Sequence, residues 1–491
     1  MLLLGIDIGT SSVKVAVIDA QTQLCIASTQ YPDIETDIIS LQKGWAEQSP
    51  EMWWSHTKKA ILRLHATNKY LPEDITAIGI AYQMHGLVLV DRDKQILRDS
   101  IIWCDSRAVD IGNQAFQSIG QTKCLSLLLN SPGNFTASKL FWIKQNEPKL
   151  FDRIYKVLLP GDFIGMKLTG ECTTTISALS EGVFWDFKHH CLSEDVLDYY
   201  GFDKTLFPQI KDVFEGHGTI LSSVSTELSL NKRVTVTYKA GDQLNNALSL
   251  NVLNPGEVAV NAGTSGVIYG VSEKLVYDET SRINTFAHVN HSDLQNRLGV
   301  MVCINGVGIL YKWLKSLKGE NISYQEMNYL ASQIPIGCEG LIVLPFGNGA
   351  ERILNNKDIG AQVKHLNFNR HHYAHFCRAA QEGIVFAFKY GLDIMRSNGI
   401  SASIVRAGRS NMFLSKVFRD CFVNTTGLVL ELFENDGSVG AAIGAGIGAG
   451  VYETPESAIK QLEPLEISEP NHKSEYQEVY QKWLSDLKAY I

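Results

Sequence analysis

The sequence predicts an α/β protein with two domains of similar size, each built on a mixed β-sheet flanked by helices. Three observations support this fold class. The chain of 491 residues is too long for one ordinary hydrophobic core. Its first segments follow the order strand, strand, helix, strand, which is typical of α/β domains with mixed sheets. A short turn motif also recurs at about half the chain length, which suggests two related domains that share a cleft.

The elements before residue 82 can be read from their apolar patterns. The helical segment begins with Ser49 as the N-cap and Pro50 at the first helical position. The run "ITAIGIA" is short, rich in β-branched residues and contains a Gly, so it predicts a buried strand. The predicted strands are 2–9, 12–19, 25–31 and 75–81, and the predicted helix is 49–66.

The recurring motif is a Gly-Thr-Ser turn between two apolar strands. "GIDIGTSSVKVAV" at the beginning of the chain matches "AVNAGTSGVIYGV" at 259–271, so that Thr10 and Thr264 occupy equivalent positions. Each predicted domain therefore contributes one such turn to the shared cleft. The boundary is expected in the segment 235–260, where a strand ends, a helix crosses and an Asn-Pro-Gly turn follows. This division gives a first domain of residues 1–246 and a second of 247–491.

Composition excludes several classes of protein. Hydrophobic residues make up 45% and charged residues 20% of the chain, which is ordinary for a soluble globular protein. The formal net charge of −8 argues against a nucleic-acid partner. The nine cysteines are scattered without a C-x-x-C pair, which indicates buried free thiols in a reducing cytosol. The N-terminus lacks a basic region and Asp7 interrupts its apolar run, so we expect no signal peptide and a cytoplasmic protein.

The most apolar stretch elsewhere is 439–452, which is too short and too rich in glycine to span a bilayer comfortably. Its glycines recur every four residues along one face of a helix. A membrane-dimer motif is one interpretation, but a closely packed helix inside a soluble domain is favoured. No membrane partner is therefore expected.

The first Gly-Thr-Ser turn is a candidate phosphate site. A turn of Gly, Thr and Ser offers N–H groups and hydroxyls to phosphate oxygens without obstruction by side chains. Asp7 cannot bind phosphate directly, but a carboxylate there suits Mg²⁺ or its water ligands. The alternative is a plain β-hairpin with an Asp at its end, and the turn alone does not decide between them. The chain has no G-x-x-x-x-G-K-[ST] loop, and "GAGIGA" at 444–449 opens no βαβ unit.

Asp242 is a candidate general base. It lies at a strand end, in front of a helix and beside the expected cleft, where it could accept a proton from a hydroxyl that attacks a phosphoryl group. The alternative role is the N-cap of the following helix, because Asp is favoured there. The two roles are compatible.

Trp103, in "IIWCDSR", is a candidate wall for the C–H face of a sugar. The alternative is a core Trp103 with Asp105 or Ser106 as a helix cap, and the two interpretations are evenly balanced.

The motifs taken together resemble those of the FGGY carbohydrate kinases over nearly the entire chain. Each motif alone is short, but their common order and spacing make the resemblance specific. It implies membership of the actin-like ATPase superfamily, with two ribonuclease-H-like domains that close on a sugar and Mg-ATP. The first domain would bind the sugar and the second the nucleotide. The motifs are "GIDIGTSSVK", "GWAEQSPEMWW", "YQMHG", "IIWCDSR", "FTASKLFWIKQNEP", "LLPGDFIGMKLTGE", "AGDQ", "NAGTSGV" and "GSVGAAIGAG".

Within that family, "YQMHG" at 82–86 is similar to the xylulokinase branch, whereas glycerol kinases carry a charged pair at the Met-His position. This resemblance implies that Met84 packs against the carbon skeleton of a ketose, that His85 binds a hydroxyl, and that Gly86 keeps the backbone clear. Without the other motifs, a packed core Met beside a satisfied His would be the default.

The resemblance also assigns the remaining site residues. It implies catalytic roles for Asp242 as base and Asp7 at the Mg²⁺–phosphate end, with both near the metal through water. The implied sugar contacts are Gln83, Met84, His85, Trp103, Asp242 and Gln243, and the implied nucleotide contacts are Gly9, Thr10, Ser11, Ser12, Lys14, Gly263, Thr264, Ser265, Gly408 and Asn411.

Two departures from the family pattern leave alternatives open. Xylulokinases usually have Asn after the catalytic Asp, where this chain has Gln243, as glycerol kinases do. The family's Gly-Gly adenosine loop is replaced by "RAGRSN" at 406–411, with Ala407 before Gly408. The expected activity is phosphorylation of D-xylulose by ATP. A sister kinase for another ketose, polyol or aldonate is the nearer alternative, and a partner-driven actin-like ATPase the more distant one. The oligomeric state stays open, with a homodimer as one option.

Overall fold

The computed structural model describes residues 1–292, 294–319, 322–459 and 462–491. Its first half, up to the helix that begins at Asp242, contains one large sheet, four two-stranded sheets and the helices around them. The strands are β1 (Leu2–Ile8), β2 (Val13–Asp19), β3 (Cys25–Tyr31), β4 (Glu47–Gln48), β5 (Ile75–Tyr82), β6 (Val88–Val90), β7 (Ser100–Ile101), β8 (Lys156–Leu158), β9 (Thr173–Thr175), β10 (Trp185–Asp186), β11 (Cys191–Leu192), β12 (Gln209–Lys211) and β13 (Thr235–Gly241). The helices are α1 (Pro50–His65), α2 (Val109–Ile119), α3 (Gln121–Leu128), α4 (Thr136–Asn146), α5 (Pro148–Phe151), α6 (Pro160–Thr169), α7 (Ile176–Glu181), α8 (Glu194–Tyr200), α9 (Ser222–Glu227) and α10 (Asp242–Ser249).

The second half contains the remaining elements. Its strands are β14 (Glu257–Ala262), β15 (Gly266–Ser272), β16 (Asn284–Ala287), β17 (Leu298–Ile304), β18 (Ile342–Leu344), β19 (Gln362–Lys364), β20 (Ile404–Gly408), β21 (Val429–Phe433) and β22 (Glu466–Ser468). Its helices are α11 (Gly308–Lys318), α12 (Tyr324–Ser332), α13 (Tyr373–Ser397), α14 (Lys416–Thr426), α15 (Gly437–Gly448), α16 (Pro455–Ala458) and α17 (Lys473–Lys488).

The two large sheets repeat one pattern. The first has the order β13-β5-β1-β2-β3, in which β13, β5 and β1 are parallel to one another. Strand β2 runs antiparallel to both of its neighbours, β1 and β3. The second has the order β16-β17-β15-β14-β20-β21-β22, in which β14, β20 and β21 are parallel. Strands β1–β2 and β14–β15 are the hairpins that carry the two Gly-Thr-Ser turns. The predicted boundary between residues 246 and 247 stays a prediction.

The central strands β1 and β5 of the first sheet are apolar along almost their whole length because helices cover both faces. Helices α1 and α6 pack on one face, and α10 and α15 on the other. A strand buried on both faces needs a continuous apolar sequence instead of alternation, and "LLLGIDI" in β1 has one. The second sheet is filled in the same way by α13 and its neighbours.

Helix α15 follows strands of the second sheet in the chain but packs on the first. It contacts β1, β5 and β13, and most of its residues are buried. Small residues permit this approach, because a Cβ atom on Gly5 would lie 1.7 Å from the carbonyl oxygen of Ser438. The predicted closely packed helix is thus present. In the part of the chain that the structure describes, no helix is long and apolar enough to cross a membrane.

The predicted start of α1 is confirmed, with Ser49 at the N-cap position and Pro50 as the first helical residue, although the Ser49 side chain makes no capping bond. Other local expectations were wrong. Helix α10 begins at Asp242 itself, with Gly241 at the N-cap, so Asp242 does not cap it. Helix α2 begins after Ala108, which excludes both Asp105 and Ser106 as its cap. The cysteines are all free, as expected, but three of them are exposed, namely Cys25, Cys104 and Cys191.

Candidate active site

The candidate site lies where three parallel strands of the first sheet end. Asp7 is the penultimate residue of β1, Gln83 follows the end of β5, and Asp242 follows the end of β13. The strand register places Asp7 beside Ala81, and Ala81 beside Ala240. Parallel strands direct their carboxyl ends to one edge, which is the usual location of ligand sites in such sheets. The sheet therefore brings together the predicted base, the predicted metal residue and the Met-His segment.

Asp7 and Asp242 are both partly buried, and the charge of Asp7 acts on the ionisation of Asp242. Burial raises the pKa of Asp7 to about 6, while the Lys14 charge opposes that shift and the Asp436 charge adds to it. Burial raises the pKa of Asp242 to about 7, and the Asp7 charge adds to it, while hydrogen bonds from Gln243 lower it. Two enclosed carboxyls that repel each other are poised for a counter-charge.

The first Gly-Thr-Ser turn is held in shape by short contacts. The Gly9 amide donates to the carbonyl oxygen of Ser12 over 3.0 Å, and the carbonyl oxygen of Ser11 accepts from the Thr36 amide. Lys14 is the direct partner of Asp7 across the β1–β2 pair. The hairpin and the carboxylate are therefore both present, and binding of phosphate by Gly9, Thr10, Ser11, Ser12 and Lys14 stays a prediction.

A chain of hydrogen bonds links this turn to the predicted sugar side. The Trp103 indole donates to Thr10 Oγ1 over 2.9 Å, and Thr10 Oγ1 donates to Gln83 Oε1 over 3.1 Å. Gln83 Nε2 donates to Gln48 Oε1, and Gln48 Nε2 donates to the carbonyl oxygen of Thr10. Trp103 is 52% exposed, so the interpretation as a core residue was wrong. The Gln83 amide, which is buried, serves to connect the two parts of the site.

His85 is held in an unusual conformation with a defined tautomer. Its φ of +63° lies in the left-handed region, which few residues with a side chain adopt. Lys139 Nζ, which is buried, donates to the carbonyl oxygens of His85 and Ile102 over 3.1 and 2.9 Å. His85 Nδ1 donates to the carbonyl oxygen of Glu181 over 3.0 Å, which leaves Nε2 as an acceptor. Burial lowers the pKa of His85 to about 3, and the Lys139 charge lowers it further, so the ring is neutral.

Aromatic rings from both halves of the chain enclose His85. The His85 ring centre lies 4.9 Å from that of Phe135 and 5.6 Å from that of Phe286, which belongs to β16 of the second half. Neither phenylalanine was predicted, because each is an ordinary core residue in its own segment. A residue of the second half thus lies against the predicted sugar side of the site.

Met84 lies directly over Gly241, the residue that precedes Asp242. A Cβ atom on Gly241 would lie 2.7 Å from Met84 Cγ and 3.0 Å from Glu181 Oε2, so Gly is required there. Glu181 is 1% exposed, and neither carboxyl oxygen has a partner of hydrogen-bond geometry among the described residues. Burial raises the pKa of Glu181 well above its usual range, and the Asp242 charge adds to this. Interaction with the Tyr82 hydroxyl opposes this rise.

The second Gly-Thr-Ser turn lies at a separate cavity of about 490 Å³ in the second half. Gly263 and Thr264 line it together with Asn411, whereas Ser265 and Gly408 are not among the lining residues. Its volume is in the range of small-molecule sites. The lining residues that sequence reasoning missed are Ala262, Gly308, Ile309, Tyr311, Lys312, Tyr324, Gln325, Asn328, Met412, Leu414 and Ser415.

The residues near Asp7 fit a hydrated divalent cation. Gln243 Oε1 and Asn245 Oδ1 are buried and lack hydrogen-bond partners among the described residues, so both can accept from bound water. The N-terminus of α15 approaches closely, because a Cβ on Gly437 would lie 2.2 Å from Asp7 Oδ2. No group of three or more His, Cys, Asp or Glu side chains in the described ranges could hold a metal directly. That Asp7 and Asp242 contact a cation through water stays a prediction.

Comparisons with known proteins agree with this geometry. The model of the FGGY family of carbohydrate kinases, N-terminal domain, matches residues 2–249. The chain is 28% identical to a xylulose kinase from Bacillus subtilis over 94% of this chain and 90% of that protein. A xylulose kinase from Escherichia coli is 28% identical, over 96% of this chain and 94% of that protein.

A crystal structure from Brucella ovis, described as a xyloylose kinase, superposes with a TM-score of 0.90 and 26% identity over 100% of this chain and 99% of that chain. The predicted fold class is thereby confirmed. Three parallel strands that bring Asp7, the Met-His segment and Asp242 to one edge, together with these relatives, identify the protein as a carbohydrate kinase of the FGGY family.

Proposed function

We propose that the protein phosphorylates D-xylulose with ATP to give D-xylulose 5-phosphate and ADP. The observation that carries the proposal is the group formed by His85, Met84 and Asp242 at one sheet edge. His85 Nε2 offers an acceptor to a sugar hydroxyl, and Met84 offers an apolar surface to the carbon skeleton. Met84 lies against Gly241, and Asp242 is the next residue in the chain. The xylulose kinases of B. subtilis and E. coli among the relatives support the choice of sugar.

Asp242 is the general base in this proposal. Its carboxylate accepts the proton of the primary hydroxyl while that oxygen attacks the γ-phosphorus, and the bond from phosphorus to the β–γ bridging oxygen breaks to release ADP. A pKa of about 7 suits this role, since a base is most effective when its pKa is near the working pH.

ATP would lie between the two Gly-Thr-Ser turns. Its adenosine end would occupy the cavity lined by Gly263, Thr264 and Asn411, and its phosphates would extend toward Asp7. Asp7 and Asp242 would hold Mg²⁺ through water, and that ion would supply positive charge to the phosphates. The mutual repulsion of the two carboxyls supports this assignment.

A substrate panel tests the choice of sugar. We expect the release of ADP to be fastest with D-xylulose and slower with D-ribulose, L-ribulose, glycerol and D-gluconate. A clear preference for gluconate or glycerol would overturn the assignment of D-xylulose. ATP hydrolysis that no sugar stimulates would instead favour an actin-like ATPase.

Substitution of the base tests the mechanism. Asp242→Asn keeps the size of the side chain but removes the proton acceptor, so kcat should fall by about 10²–10⁴-fold. Asp110→Asn is the matched control, because Asp110 is an exposed residue in the first turn of α2. Turnover of Asp242→Asn within a few-fold of wild type would contradict the role of Asp242.

A further inference from the structure

Arg352 brings a positive charge from the second half of the chain to the sugar side of the site. It begins a short 3₁₀ turn, Arg352–Leu354. Its guanidinium carbon lies 5.8 Å from the ring centre of Phe135, which in turn packs edge-on against His85. The Arg352 charge acts directly on the His85 ring, whose pKa it lowers. Arg352 therefore faces the same space as His85.

This charge has no counter-charge among the described residues. No carboxylate there lies within ion-pair distance of Arg352, and its guanidinium makes no hydrogen bond to them. The Cys303 thiol interacts with it electrostatically, but burial raises the pKa of that thiol to about 11, so it carries no negative charge at neutral pH. The neighbouring Glu351 is turned away, since its carboxyl oxygens accept from the amides of Asn305 and Gly306. A partly buried cation without a partner costs free energy, so such a group needs a reason.

Packing alone does not account for Arg352. A distance of 5.8 Å to Phe135 is near the outer limit of a cation–π contact, and that contact uses none of the five N–H donors. The site as described offers acceptors but few donors. His85 Nε2 and Asp242 both accept, while the buried Lys139 Nζ already uses two of its three N–H groups on backbone carbonyls and the Trp103 indole donates to Thr10.

An open-chain ketose presents one oxygen that can only accept, the carbonyl at C2, and it needs a donor. We propose that Arg352 is a substrate-binding residue whose guanidinium donates hydrogen bonds to the acceptor oxygen at the end of the sugar remote from phosphoryl transfer. In a ketose this acceptor is the carbonyl oxygen, and in an aldonate it is the carboxylate. The inference rests on the proposed sugar-kinase function and adds a residue that recognises the carbonyl or carboxylate oxygen of the substrate.

The test measures sugar binding by calorimetry without nucleotide, for wild type, Arg352→Met, Arg352→Lys and Arg233→Met. Arg233 is an exposed arginine before the start of β13, at the opposite end of that strand from Asp242, and serves as the control. The ligands are D-xylulose, the matching 2-deoxypentitol without oxygen at C2, and D-xylonate.

Arg352→Met should weaken D-xylulose binding by about 10–100-fold, the usual effect of losing a hydrogen bond from a charged donor. The 2-deoxypentitol should bind wild type weakly, and Arg352→Met should lower its affinity by a further factor of less than about three. Arg352→Lys should fall between, and Arg233→Met should match wild type. The KM for ATP should not change.

Equal losses for D-xylulose and the 2-deoxypentitol, or no loss for either, would overturn the role of Arg352. Failure of the proposed function gives a different pattern. Wild type would then bind and phosphorylate D-xylonate in preference to D-xylulose, and Arg352→Met would selectively weaken D-xylonate. That result would support Arg352 as the residue that binds the carboxylate oxygen and would reject D-xylulose as the substrate.

Discussion

Gly437 is where the structure makes the sharpest prediction about the reaction centre. In Gly437→Ala the new Cβ would lie 2.2 Å from Asp7 Oδ2 and 2.9 Å from Asp7 Cγ, both well inside ordinary van der Waals contact. The Asp7 carboxylate must therefore move by about 1 Å, a displacement that can lower kcat by about 10²-fold. Overpacking of this kind costs about 1–3 kcal/mol, of which the better helix propensity of Ala recovers up to about 1 kcal/mol.

The assay combines steady-state kinetics with thermal unfolding of the same preparations. We expect kcat for sugar phosphorylation to fall about 10²-fold in Gly437→Ala, while the unfolding temperature falls by only a few degrees. Gly216→Ala is the control, because nothing lies within 4 Å of a Cβ atom at that position. A kcat within twofold of wild type in Gly437→Ala would refute the placement of Asp7 in the reaction.

Three further predictions concern the sugar side and closure. His85→Ala should lose most kcat/KM for D-xylulose, because it removes the acceptor Nε2, and Met84→Ala should lose less, because it removes only packing; equal losses, or loss of ATP affinity, would contradict this. Burial lowers the pKa of Lys139 from 10.5 to about 8, so the folded state binds fewer protons than the unfolded state between those values. The free energy of unfolding of wild type relative to Lys139→Met, measured with denaturant, should therefore rise from pH 8 to pH 10. A difference that does not change with pH would exclude a lowered pKa of Lys139. A sugar together with a nonhydrolysable nucleotide should reduce the radius of gyration measured by small-angle scattering, since walls from both halves form the site, and an unchanged profile at saturation would indicate a rigid cleft.

The sequence could predict the location of Asp7, the Met-His segment and Asp242 because each follows a short apolar strand. Strand patterns are local, and parallel strands place their ends together whatever the rest of the chain does. The same reasoning failed for Asp105, which forms an ion pair with Arg107 and accepts from the Ala46 amide instead of capping a helix. Local propensity favoured the cap, and tertiary contacts prevailed.

The residues that surround His85 could not be predicted in this way. Phe135, Phe286 and Arg352 come from three distant segments, and each is unremarkable among its sequence neighbours. His85 in its left-handed conformation forms hydrogen bonds with Lys139 and Glu181, which no periodicity indicates. Only the "FTASKLFWIKQNEP" motif signalled that the segment around Lys139 was special, and it did so without giving a physical reason.

Helix α15 has a consequence for dividing this protein into pieces. A fragment that ends at residue 246 would lack the helix that covers one face of β1, β5 and β13, and that apolar face would meet water. Such a fragment should aggregate when expressed alone, while a fragment extended by a tethered copy of residues 437–448 should stay in solution. Fragment complementation or circular permutation of this protein should therefore use cuts that leave α15 in the same polypeptide as β1, β5 and β13.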